Sequence, residues 1–100
     1  MLTVELRIAP DHPAFAGHFP GHPLLPGVSL LAEVLEAVMG EPVLAARVGA
    51  APRIGVAKFL APVRPGSDLT LRFDAGPGAL RFEVLMGERL AASGTFERAP

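Results

Sequence analysis

An α+β fold, with one helix packed on a mostly antiparallel sheet, follows from three observations on this sequence. A single stretch, residues 28–39, carries an apolar pattern dense enough for a helix of about 12 residues. The runs around it alternate apolar and polar side chains, the period of a half-buried strand. Short turn signals, Gly87-Glu88 above all, join successive runs as a hairpin would. One buried helix against such strands is an α+β arrangement.

The elements read in order as strand, loop, helix and then about five strands. Residues 2–9 place Leu2, Val4, Leu6 and Ile8 on one face, with Thr3, Glu5 and Arg7 on the other. Residues 10–27 hold five prolines and three glycines, which predicts an ordered loop. The helix over 28–39 ends at Gly40 and Pro42. Its apolar residues lie all round, apart from a narrow polar stripe of Ser29, Glu33 and Glu36. A helix this apolar is expected to be largely enclosed. Five runs then read as strands: 43–48, 53–60, 69–74, 80–86 and 89–96.

Composition narrows the functions available. One hundred residues with no repeat or linker suggest a single domain over 1–100. Half of the residues are hydrophobic and the mean hydropathy is +0.40, more than so small a core can bury alone. A homodimer or higher homo-oligomer is therefore expected. A net charge of −1 offers no nucleic-acid footprint. No apolar run is long enough for membrane insertion, and the first residues lack a signal-peptide pattern, so a cytoplasmic protein is expected. There is no cysteine, which excludes disulfides, thiolate metal sites and a cysteine nucleophile.

The chemistry concentrates in residues 17–28, GHFPGHPLLPGV. His18 sits in a proline-stiffened loop that runs into the start of the helix. An imidazole moves protons near neutral pH. The free N–H groups of a helix start can hold an oxyanion. Together they suit removal of a proton next to a carbonyl. His12 and His22 read as surface or loop-ordering residues. A metal held by His12, His18 and His22 is not expected. Pro20 and Pro23 forbid the helix that the His18–His22 spacing would need, and only Asp11 could add a carboxylate. Ser29 has no partnered base and reads as an ordinary first-turn residue.

These motifs resemble the hot-dog fold, in which an antiparallel sheet wraps around one central helix. They are most similar to the β-hydroxyacyl-acyl-carrier-protein dehydratases of FabZ/FabA type. His18-Phe19-Pro20-Gly21, Pro23 and Pro26-Gly27-Val28 fall at that family's spacing. Residues 57–66, AKFLAPVRPG, resemble its second signature, a bend between two central strands. Residues 87–94, GERLAASG, are similar to its ApeI-like branch, the dehydratases of aryl-polyene pathways.

The resemblance implies a (3R)-hydroxyacyl-thioester dehydratase of fatty acid or aryl-polyene-type biosynthesis, acting on acyl carrier protein (ACP) without a cofactor. His18 would be the catalytic base. Gly27, with Val28 beside it, would offer N–H to the thioester carbonyl. Phe19 and Ala32 would lie against substrate. A cis peptide is implied between His18 and Phe19. The family's acidic residue lies fourteen positions after the histidine, on the partner subunit's helix, and here that position is Ala32. Glu33 is turned by roughly 100° from it. Glu36, one turn on, is the candidate replacement acid; its plainer reading is a solvated residue on the polar stripe. Phe15 and Phe59, with part of the helix, are candidates to line an acyl channel. The alternatives are a catalytically impaired hot-dog subunit that acts as a binding or structural partner, and an acyl thioesterase. Ala32 favours the first. The loop motif argues against the second.

Overall fold

Alternation builds the sheet, and the computed structural model, which describes residues 1–16, 21 and 23–99, registers it strand by strand. The strands are β1 (Leu2–Arg7), β2 (Arg53–Phe59), β3 (Asp68–Gly76), β4 (Ala79–Met86) and β5 (Arg89–Glu97). They form one five-stranded antiparallel sheet in the order β1-β3-β4-β5-β2. Leu69, Leu71 and Phe73 of β3 and Leu80, Phe82 and Val84 of β4 are all buried, on the face the alternation predicts. Gly87, at φ 62°, makes the β4–β5 turn, and Gly78, at φ 68°, the β3–β4 turn.

Helix α1 (Gly27–Met39) begins one residue before the predicted start. Leu30, Val34 and Val38 form its buried stripe. The expectation of an enclosed helix is corrected: Val28, Ala32, Glu36 and Met39, about one turn apart in succession, are exposed along another face. Glu33 also leaves the expected polar stripe, because its side chain is half-buried against His12.

Residues 43–48 are not a strand. They belong to a second helix, α2 (Pro42–Val48), so the fold has two helices where the sequence suggested one. Pro42 occupies the first turn, where its missing N–H costs nothing. Leu44 and Val48, one turn apart, are the buried pair, and Gly49 at φ 76° ends the helix. Four strands, not five, therefore follow α1. The loop before α1 holds a short 3₁₀ turn at Pro13–Phe15.

The core lies between the sheet and the two helices, with Phe82 and Phe96 stacked at 5.0 Å between ring centroids. Gly94 on β5 lies under this stack. A Cβ there would meet the carbonyl oxygen of Val56 and the ring of Phe82. Gly94→Ala is therefore expected to destabilise the fold by about 1–3 kcal/mol through overpacking. Urea denaturation followed by circular dichroism checks this, and an unchanged midpoint would show that the sheet can give way at that point.

Candidate active site at the start of helix α1

Two segments far apart in sequence meet at the start of α1. The N–H of Leu25 donates to the carbonyl of Val63 at 2.8 Å, pinning the loop before the helix to the connection between β2 and β3. That connection, the second motif, leaves β2 at the edge of the single chain's sheet, so within one chain it does not join two central strands as the resemblance implied. The turn beyond it is fixed by Ser67, whose hydroxyl donates to the Arg64 carbonyl at 2.7 Å and accepts from the Arg64 N–H at 3.2 Å.

The helix begins with no side-chain cap, because its N-cap residue is Pro26. The Pro26 carbonyl accepts from Ser29 and from Leu30, each at 3.0 Å. Among the described residues, nothing accepts from the N–H groups of Gly27 or Val28. Two donors thus stand open at the positive end of the helix dipole, which is how a helix start receives an anionic oxygen.

An apolar cleft of about 390 Å³ opens beside these donors. Leu24, Pro26, Gly27 and Leu30 line one wall, and Phe59, Ala61 and Val63 the other. The Phe59 ring lies directly over Gly27, where a Cβ would come within 2.8 Å of Cζ. Glycine at 27 is what lets the aromatic rim approach the helix start so closely. Phe59 itself remains 50% exposed, so it closes the cleft only on one side.

The site residues expected from sequence divide into three groups. Gly27 and Val28 are at the helix start with open donors, and Val28 is 76% exposed. Ala32 and Glu36 lie on the exposed face of α1, and no described residue bonds to the Glu36 carboxylate. His18 and Phe19, the peptide between them and His22 lie outside the described residues. Of the two aromatic residues expected along an acyl channel, Phe59 lines the cleft, and Phe15 does not; it packs on the core instead. No cluster of metal-ligating residues occurs among the described residues, and both nitrogens of His12 are already engaged. Sequence reasoning missed the 61–63 wall, although Pro62 between two apolar residues already marks a bend there.

Fold and cleft together define a hot-dog α+β protein with an apolar pocket that ends at a helix start. The chain matches the ApeI-like family model, described as ApeI dehydratase, over residues 1–95. It is 32% identical to the 3-hydroxyacyl-[acyl-carrier-protein] dehydratase FabZ of Symbiobacterium thermophilum, covering 93% of this chain and 72% of that protein. It is 39% identical to the FabZ of Thermus thermophilus, over 86% of this chain and 69% of that protein. Its fold superposes with a TM-score of 0.74 on a chain of the dehydratase heterocomplex ApeI:P from Xenorhabdus doucetiae, at 29% identity, over 95% of this chain and 83% of that one. The chain belongs to the ApeI-like dehydratase family, a hot-dog group of FabZ type.

Because Phe59 forms the rim of the cleft and is half-exposed, Phe59→Ala is expected to weaken binding of long-chain acyl thioesters more than short ones. Global stability should be nearly unchanged. Inhibition constants for a series of unreactive acyl thioesters of rising chain length check this; a uniform loss across the series would put the acyl chain elsewhere.

Proposed function

We propose that the chain is a (3R)-hydroxyacyl-ACP dehydratase, and the open Gly27 and Val28 donors beside an apolar cleft carry the reading. The thioester carbonyl binds at these N–H groups, and the acyl chain runs along the Phe59 wall. His18 removes the α-proton, and the electron pair left behind is delocalised onto the carbonyl oxygen as an enolate. The enolate collapses, the Cα–Cβ double bond forms, and the β-hydroxyl leaves as water with one added proton. Either Glu36 donates that proton or His18 returns the one it took. Phe19 and Ala32 contribute apolar contacts to the substrate. The reaction is redox-neutral and needs no cofactor.

The site is shared between two copies of the chain in this reading. Edge strand β2 exposes Ile54 and Val56, and α1 exposes Val28 beside Ala32 and Glu36. An apolar edge of this kind calls for a partner. In this reading the β2 edges of two copies pair, and Glu36 of one copy acts with His18 of the other. A substrate carried on ACP fits a cytoplasmic setting, and aryl-polyene-type intermediates are the substrates most in keeping with the ApeI-like family.

A second reading has a specific observation behind it. Ala32 stands where the family has its acid, and the structural relative from Xenorhabdus doucetiae is a heterocomplex. The chain would then be one half of a hetero-oligomer in which the partner supplies the acid, or a subunit without catalysis of its own.

His18→Ala should abolish turnover, with about 10²–10⁴-fold lost, and leave the circular dichroism spectrum intact. Glu36→Gln should fall by a similar factor if it is the proton donor, and Ala32→Glu should raise the rate if the acid alone is lacking. In a Phe59→Ala background, which relieves crowding, Gly27→Pro deletes one donor at a position where proline suits a helix start. It should lower kcat by about 10²–10³-fold; an unchanged kcat would remove Gly27 from the oxyanion site. Light scattering should give at least a dimer at micromolar concentration, and a stable monomer would contradict the shared site. If wild type and Ala32→Glu are both inert towards every 3-hydroxyacyl thioester tried, the second reading takes the place of the first.

A further inference from the structure

His12 lies outside the histidine motif, yet both its ring nitrogens are engaged. Nδ1 accepts the N–H of Ala14 at 3.0 Å. Nε2 lies 3.0 Å from Oε1 of Glu33 on α1. The first bond assigns the neutral tautomer: a nitrogen that accepts carries no proton, so the proton is on Nε2 and is donated to Glu33. The Phe15 ring meets the imidazole edge-on at 6.1 Å. The two side chains are 22% and 21% exposed, so the pair is sheltered without being buried.

We infer that His12 and Glu33 form a positioning pair that ties residues 12–16, the segment leading to His18, to helix α1. The inference rests on His18 being the catalytic base. His12 ties the described segment before His18 to Glu33, and Leu25 ties the described segment after it to Val63. His18 comes six residues after the first tie. Glu33 is next to Ala32 in the helix, so the tie joins residues 12–16 to the turn of their own chain that carries Ala32. The carboxylate of Glu33 is thereby committed to His12 and is not free to replace that acid. A partly exposed pair of this kind contributes little to global stability. Orientation of a reacting group, in contrast, is sensitive to displacements of about 1 Å, which can cost about 10²-fold in rate.

The test uses the intact chain in four variants: Glu33→Ala, His12→Ala, the double variant and Glu33→Gln. Two readouts do not need turnover. Amide exchange at Ala14, Phe15 and Ala16, followed by NMR, should rise by about tenfold in Glu33→Ala and His12→Ala, while amides of β3 and β4 keep their protection. The imidazole resonances of His18 should move in both variants and return towards wild type in Glu33→Gln, whose amide oxygen still accepts from Nε2. In turnover of 3-hydroxyacyl-ACP, kcat should drop by about 10–100-fold with KM nearly unchanged. The double variant should be no worse than either single one, because the pair acts as a unit. Unmoved His18 resonances in Glu33→Ala would overturn the inference, as would an unchanged kcat or a loss of protection spread through the sheet. If the wild type proves inert, the dehydratase reading fails by itself, and the His18 resonances still decide whether the pair positions the loop.

Discussion

The backbone bond from Leu25 to Val63 is the constraint on which the site depends. It brings together two motifs separated by an entire helix, a second helix and a strand. With the loop pinned there, the first turn of α1 and residues 61–63 line one cleft. Pro26 at the N-cap sharpens the effect. A serine or aspartate at that place would satisfy one of the orphan donors from within the chain. Proline has no such side chain, so the donors stay open for a ligand.

Close approach is the second half of the design. Gly27 lets Phe59 lie on the helix start, and Gly94 lets Phe82 lie across β5. The two glycines serve different ends. The one on β5 lets the aromatic core close, while the one at the helix start admits the rim of a cleft. Both approaches involve β2, through the Phe59 ring and the Val56 carbonyl, and β2 is the edge strand that leaves Ile54 and Val56 in solvent. Much of the exposed apolar surface lies on or beside β2, at Ile54, Val56, Phe59 and Leu60, and on α1, at Val28 and Met39, while Met1 and Val43 stand apart from both.

Much of this was legible in the sequence because the period-two pattern is unambiguous where one face of a strand is buried. Residues 69–74 and 80–86 alternate without a break, and Leu71 faces Val84 in the register that the pattern requires. Residues 43–48 misled because Val43, Leu44 and Val48 satisfy strand and helix templates alike over so short a run. Pro42, the pair Ala45-Ala46 and Gly49 were the decisive signals, as a helix start, two strong helix formers and a helix stop. The helix start was visible to within one residue, at Val28 against the observed Gly27, from the prolines and glycines before it. The bond between His12 and Glu33 was not, since it depends on how a loop folds back on a helix, and no spacing encodes that. Glu33 read as solvated because helical phase was the only guide to its surroundings.

The central claim is that this site exchanges a proton at the carbon next to a thioester carbonyl and water at the next carbon. Incubating the chain with a 2-enoyl-ACP in D₂O and analysing the products by mass spectrometry tests it most directly. The account predicts 3-hydroxyacyl-ACP carrying one carbon-bound deuterium, located at C2, formed by the reverse of dehydration. Release of a free acid with recovery of unloaded ACP, or substrate recovered without water or deuterium added, would contradict it.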